Sequence, residues 1–210
     1  MANQFLVGAA GNSPAGPNVN QGGNPQGDAW VSEFHGSWFT ASRSGNLFKY
    51  SVASVTLAYM HLGTAGAQSF SLINPVGSGV NCEMLYTDIG FLTGTTVVGA
   101  IGWFAQNISQ YPVTSPTPAL AQSGVFGGSP GKVVPYSALT FAASSSPTLA
   151  DLVMATATTT SVVIQPIRKL HNGSFILPPG TVAYLGNSTA AAAAGSAECA
   201  WIETPVTSGF

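Results

Sequence analysis

The segment Gly127-Gly128-Ser129-Pro130-Gly131 has the Gly-x-Ser-x-Gly spacing of a nucleophile turn, in which the backbone N–H after the serine helps to hold an oxyanion. Here that position is Pro130, which has no N–H, and no helix is predicted after it. A serine hydrolase is therefore not expected. Gly131-Lys132 stands where a phosphate loop would end, but Val133 replaces the Ser or Thr that holds magnesium, and Phe126 replaces the first glycine. His35, His61 and His171 lie in separate segments. Glu33 shares a strand face with His35, yet two ligands do not make a metal site. The acids Asp28, Glu33, Glu83, Asp88, Asp151, Glu198 and Glu203 could supply the facing carboxylates of a glycosidase, although solvated charges and loop caps account for them more simply. Trp38, Phe39, Tyr59, Trp103, Tyr111 and Trp201 could stack on sugars; packing in a core is their commoner fate. Sequons at Asn107, Asn172 and Asn187 carry information only in a chain that enters a secretory pathway. No catalytic, cofactor-binding or metal-binding residue is assigned, and no cofactor is expected.

The elements that would have to position such residues are strands. From Asp28 onward, short runs rich in Val, Ile, Thr and aromatics alternate with Gly, Pro, Asn and Ser. Strands are predicted over 29–33, 38–41, 47–51, 54–61, 68–73, 81–92, 95–106, 132–135, 161–167, 174–177, 181–186 and 197–203. In the last of these, Cys199 and Trp201 share one face while Glu198, Ala200 and Ile202 share the other. The number and spacing predict an all-β fold of two packed antiparallel sheets, a β-sandwich over residues 29–210. One helix is predicted over 148–155, with Thr148 as cap and Asp151 near its positive end. An irregular, loop-rich insertion is expected around 107–150, marked by the glycines of 124–131 and by Pro112, Pro116 and Pro118. Residues 190–194, all alanine, read as a loop, since five alanines are too few for a stable helix.

Residues 8–27 contain no charge and almost no large apolar side chain, so residues 1–28 are expected to form an extended N-terminal arm that docks on a neighbouring subunit. Only 6% of the 210 residues are charged against 45% hydrophobic, with a formal net charge of −2, which suits a surface facing other subunits. Arg43, Lys49, Lys132, Arg168 and Lys169 form no stripe, so nucleic-acid binding is not expected. The apolar stretches 94–104 and 160–167 fall well short of the roughly 20 residues of a bilayer span, and no membrane association is expected. The N-terminus lacks a secretion-signal pattern, which places synthesis in the cytoplasm until assembly. Cys82 and Cys199 read as buried free thiols, with pairing across strands left open.

Asn74-Pro75 stops one strand and Gly77-Ser78-Gly79 permits the positive φ that returns the next; Pro178-Pro179-Gly180 makes a similar stop before 181–186. These turns lie in three stretches, together about a third of the chain, that resemble a family of tailed-phage virion proteins described as head decoration, cement or minor structural proteins. The first is EFHGSWFTASRSGNLFKY, from Glu33 to Tyr50, similar to the family's opening turn, aromatic pair and Gly-Asn-Leu-Phe strand. The second is LINPVGSGVNCEML, from Leu72 to Leu85, similar to its Asn-Pro-x-Gly-Ser-Gly-x-Asn hairpin. The third runs from Leu170 to Val206, with Asn172 to Thr181 and the closing Trp201-Ile202-Glu203-Thr204-Pro205. Where the family often has an acid after its closing tryptophan, this chain has Ile202, and residues 109–147 match no part of the pattern. The resemblance implies a jelly-roll-like β-sandwich on a phage capsid, often a homotrimer, that bridges and stabilises major capsid proteins without catalysis. The other readings carried forward are a receptor- or glycan-binding module of a head or tail fibre and a polysaccharide depolymerase.

Overall fold

The computed structural model describes residues 5–6, 20–23, 29–30, 38–57, 67–68, 70–94, 99–109, 113–141, 148–156, 166–188 and 193–206. Two compact units divide the chain, Met1–Phe39 and Thr40–Phe210. In the first, β1 (Phe5–Leu6), β2 (Asn20–Gly23) and β3 (Ala29–Trp30) pair antiparallel in that order. Most of the arm expected over residues 1–28 lies outside the described residues, as do 31–33 of the strand expected over 29–33.

The larger unit follows α1 (Phe39–Arg43) with β4 (Leu47–Leu57), β5 (Ala67–Gln68), β6 (Ser71–Asn74), β7 (Val80–Gly94), β8 (Gly99–Asn107) and β9 (Val113–Pro118). It continues through β10 (Gln122–Ser123), β11 (Val134–Phe141), β12 (Thr148–Thr156), β13 (Ile167–Leu170), β14 (Ile176–Leu177), β15 (Thr181–Asn187) and β16 (Ala193–Pro205). One sheet has the order β10-β4-β16-β7-β13, with β14 also on β7. The other has the order β12-β8-β15-β6-β11-β5, with β9 also on β11. Every pairing is antiparallel, and the all-β sandwich is the architecture expected.

The core lies between the sheets. Phe48, Tyr50, Cys82, Met84, Cys199 and Trp201 from the first sheet face Phe70, Leu72, Trp103, Ala183 and Leu185 from the second. Tyr50 stacks across the gap on Phe70 at 4.8 Å between ring centroids. The face predicted for Cys199 and Trp201 is the one that enters this core, and neither side chain has exposed surface. The second sheet is buried on its other face as well: Ile73, Phe104, Leu139, Val182 and Tyr184 form a separate cluster, with Phe104 and Tyr184 stacked.

Several elements differ from expectation. Residues 38–41 form no strand: Trp38 enters with φ 71° and α1 follows. Gly45, at φ 73°, donates its N–H to Ser42 O and Asn46 donates to Ala41 O, both at 3.0 Å, the paired bonds of a Schellman stop. Residues 148–155 form no helix. They are β12, paired to β8 with register shifts between Leu149 and Asp151 and between Leu152 and Met154. Each shift inserts one residue into the pleat, so the apolar positions Leu149 and Leu152 acquire a helix-like spacing while the backbone stays extended. Gly102 makes the bulge possible, because a Cβ there would stand 2.5 Å from Asp151 O and 2.7 Å from Leu149 Cδ1. The strands expected over 47–51 and 54–61 are one strand, β4, with 58–61 outside the described residues. Ala193 and Ala194 belong to β16, paired on both sides by β4 and β7; partners, not alanine's own preference, hold them extended. Within 107–150, β9, β10 and β11 are strands, β9 and β11 pairing with register shifts between Tyr136 and Ala138 and between Ala138 and Thr140. Pro116 and Pro118 are accommodated because, among the described residues, β9 pairs with β11 alone.

Asn74 shows how the turns tie the layers. At the end of β6 and fully buried, it donates through Nδ2 to Val80 O and Leu177 O, both at 2.8 Å, and Oδ1 accepts from Ser78 Oγ at 2.6 Å. Its carbonyl accepts from Gly180 N at 2.8 Å. Gly77, Gly79 and Gly180 all have the positive φ these turns demand. Asn74→Ala removes three hydrogen bonds at this corner, to Val80 O, to Leu177 O and from Ser78 Oγ, and is expected to cost about 2–4 kcal/mol in urea denaturation. A change below about 0.5 kcal/mol would mean that backbone bonds alone hold the corner.

Candidate functional site

Thr87, midway along β7, has no exposed surface and points between the sheets. Its Oγ1 accepts from Trp103 Nε1 of β8 at 2.8 Å and lies 2.8 Å from His171 Nε2. An ionised Asp151 carboxylate can only accept, so His171 Nδ1 donates to Asp151 Oδ2; in the neutral imidazole Nε2 then accepts from the Thr87 hydroxyl. Asp151 Oδ1 is also 3.7 Å from Lys169 Nζ. The β12 bulges rotate Asp151 to this position. A tight turn presents His171: its N–H donates to Leu85 O at 2.7 Å, and Ser174 bonds back to its carbonyl through both N and Oγ. Asn172 and Gly173 take positive φ to close that turn, and Phe175 lies 5.9 Å from the imidazole.

Carboxylate, imidazole and hydroxyl in sequence is the arrangement that activates a nucleophile. Here the hydroxyl and the imidazole are both sealed, and the indole N–H is bonded to the hydroxyl oxygen. The chemistry available is structural: the chain of bonds pins β7 and the His171 turn to β8 and β12 across the core. Burial pushes the His171 pKa below its ordinary value, against the opposing pull of Asp151, and Lys169 adds to the lowering.

A buried carboxylate organises the loop that carries the serine motif. Glu203, on the inward face of β16, accepts from Lys132 N through Oε2 and from Val133 N through Oε1, each at 2.9 Å, while Trp201 Nε1 lies 3.4 Å from Oε1. A Cβ at Gly131 would collide with this carboxylate. The backbone N–H groups that would cradle a phosphate after Gly131-Lys132 are thus occupied by the chain's own anion. Ser129 is exposed, and the chain beyond it enters β11, a strand.

The remaining candidates disperse. Asp28, Glu33, His35, His61, Tyr59 and Tyr111 lie outside the described residues. Glu83 accepts from Thr204 Oγ1, Asp88 pairs with Arg168 through two bonds of 2.5 and 2.7 Å, and Glu198 accepts from Tyr86 Oη at 2.7 Å. Arg168 and Lys49 cover the Tyr86 ring at 4.5 and 5.9 Å. Each described acid therefore has its own partner. No group of three metal-binding side chains occurs among the described residues. Trp103 and Trp201 are in the core and offer no sugar platform; Trp38 is half-buried before α1. Asn107 and Asn172 are exposed, whereas Asn187 is buried. Cys82 and Cys199 are free and buried, their thiol pKa values pushed up by desolvation. Cys82 stands opposite Glu203, four positions along β16 from Cys199. The composition gave no sign of Thr87 or of the loop-capping role of Glu203. No helix among the described residues is long and apolar enough to cross a membrane. Comparison of the chain with protein-family models, with curated proteins and with solved structures returned no match.

Thr87→Val keeps the shape but leaves Trp103 Nε1 and His171 Nε2 unpaired. It is expected to cost about 2–4 kcal/mol in chemical denaturation, with Thr87→Ser close to the parent. The unfolded chain protonates His171 first, because the folded pKa is the lower one. Its contribution to stability is therefore fully present above about pH 6.5 and is lost as the pH falls through the folded value. His171→Gln should flatten the fall in unfolding free energy between about pH 7 and 5; an unchanged slope would assign that fall to other groups.

Proposed function

We propose that this chain is a non-enzymatic structural subunit of a virus particle, a decoration or cement protein that binds major capsid subunits and stabilises them by bridging. The observation that carries the reading is the use to which the chemistry-bearing residues are put. The Asp151-His171-Thr87 series is spent on pinning two sheets, and Glu203 is spent on a loop. The residues that resemble the tailed-phage family, Asn74, Gly77, Gly79, Gly180 and Trp201 among them, form corners and core. A sandwich with so inert an interior acts through its surface.

That surface suits assembly. Between Asp88 and Asp151 the only charged residue is Lys132, and Leu120 and Phe126 are almost fully exposed. Bridging several subunits with a neutral surface gives avidity without strong single contacts. In this reading the fold is a jelly-roll variant of the sandwich, the subunit is a homo-oligomer with three copies favoured, and it resides on the capsid exterior after synthesis in the host cytoplasm. No nucleic acid, membrane or cofactor takes part.

The test is quantitative mass spectrometry of particles purified from the lysate in which the chain is made. A fixed ratio to the major capsid protein is expected. That ratio should survive washing in about 1 M NaCl, where the Debye length is near 3 Å and exposed ion pairs are screened. Absence from intact particles, or stripping by salt alone, would count against the assignment.

A further inference from the structure

In the bonded series from Trp103 to Asp151 every proton has one place. Trp103 Nε1 donates to Thr87 Oγ1, the Thr87 hydroxyl donates to His171 Nε2, each at 2.8 Å, and His171 Nδ1 donates to Asp151 Oδ2. Neither Thr87 nor the imidazole has exposed surface, so solvent cannot take over these bonds. A proton added to the neutral imidazole enters at Nε2. That new N–H faces the oxygen at which Trp103 Nε1–H already points, and the hydroxyl hydrogen of Thr87 loses its acceptor, since His171 and Trp103 are its hydrogen-bond partners among the described residues. The closed core therefore accommodates the neutral ring and strands a buried donor when the ring is charged.

The groups facing the ring do not lift this conflict. Asp151 of β12 is the anion against it, and Lys169 of β13 shares that carboxylate, with Nζ 3.7 Å from Oδ1. β7 and β8 present Thr87 and Trp103, and the Phe175 ring lies at 5.9 Å. Glu83, near Gly173, is engaged by Thr204, and Asp88 by Arg168. Burial and Lys169 outweigh the pull of Asp151, so the imidazole is harder to protonate in place than in water. The carboxylate itself reaches the surface, its side chain 21% exposed. An imidazolium thus has a charged partner towards water and a blocked one towards the core.

The ring is carried by a turn that few bonds close. His171 N and Asn172 N both donate to Leu85 O, at 2.7 and 3.2 Å, Gly173 N donates to Met84 O at 3.0 Å, and Ser174 N to His171 O at 2.9 Å. Asn172 is exposed and held at φ 49°, a conformation that a side chain disfavours. The strands around the turn are tied by continuous ladders: β7 pairs with β16 from Val80 to Gly94, and β15 with β8 from Thr181 to Asn187.

We infer that His171 is an acid-sensitive latch on the core: on taking up a proton its ring leaves Thr87, stays with Asp151 and opens the 171–174 turn, while the sheets remain paired. The latch is a property of this chain alone and does not rest on the capsid reading. The open turn carries an imidazole in water, with its ordinary pKa near 6.5, and the closed turn one with a lower value. Opening is therefore favoured as the pH falls below about 6.5, by up to about tenfold per pH unit for one proton, and levels off below the closed value.

The experiment is hydrogen exchange of the full chain between pH 7.5 and 5, read as protection factors so that the intrinsic pH dependence of exchange divides out, with circular dichroism establishing that the chain stays folded. Protection of the 171–174 amides is expected to fall by up to about tenfold per pH unit below about 6.5, with β15 and β16 unchanged. In His171→Gln the fall should vanish. In Asp151→Asn, where the residue at the rim keeps an acceptor but cannot titrate, it should persist. Flat protection at 171–174, or an equal fall in β15 and β16, would overturn the latch, the second by showing loss of overall stability alone. A fall retained in His171→Gln, or lost in Asp151→Asn, would place the titrating group elsewhere and overturn it too. Should His171→Gln not fold, the parent and Asp151→Asn still decide.

Discussion

A polar group can be buried between two sheets at tolerable cost only if it finds a partner there, and this constraint governs how the sandwich closes. Hydrophobic contact between the layers is non-directional and tolerates sliding, whereas a hydroxyl that must accept from one sheet and donate to a turn on the other does not. Thr87 fixes one such point, and Asn74 fixes another at the corner between β6, β7 and β14. With two points fixed, neither sheet can shift by a residue without stranding buried donors. Ser71 Oγ and the Gln106 amide are buried without partners on the outer face of the second sheet, and Tyr50 Oη is likewise unpaired in the core. These groups cost stability, which makes the satisfied points the more necessary.

The same constraint decides the fate of every motif with catalytic spacing. A carboxylate accepting two backbone N–H groups is a good anchor for a loop, and the loop it anchors is the one whose glycines and serine resemble a nucleophile turn. Gly131 is required because Glu203 stands where its Cβ would be. The imidazole of His171 is likewise held by β7 and β12 at once, and its lowered pKa follows from burial. Perturbed titration and triad-like order, the usual signs of an active centre, here coincide with buried groups that tie two layers together.

What could be read from the sequence was what depends on neighbours in the chain. The alternation that sends Cys199 and Trp201 inward is a local property of an extended backbone. The positive φ of Gly77, Gly79 and Gly180 follows from the turns their neighbours impose. The errors came where distant partners overrule the local pattern. Bulges against β8 gave residues 148–155 the spacing of a helix, and pairing on both sides extended alanines that alone favour other states. The helix at Phe39–Arg43 was signalled downstream, by Ser44, Gly45 and Asn46, rather than by its own residues. Thr87 and His171 are 84 positions apart, and Glu203 and Val133 are 70 apart. Nothing in the composition or spacing of such pairs announces that they meet.

Charge is unevenly placed, and the placement follows from how the two sheets differ. The first sheet keeps a polar outer face, where Lys49, Arg168, Asp88 and Glu198 gather around Tyr86 and cover its ring. The central strands of the second sheet bury apolar side chains on both faces, with Phe104, Val182 and Tyr184 on the side away from the core. Strands buried on both faces have no use for ions, which accounts for the absence of charge along β8 and β15. The segment that follows β9 reaches solvent with leucine and phenylalanine instead. Exposed apolar side chains on a rigid turn gain free energy whenever another neutral surface covers them.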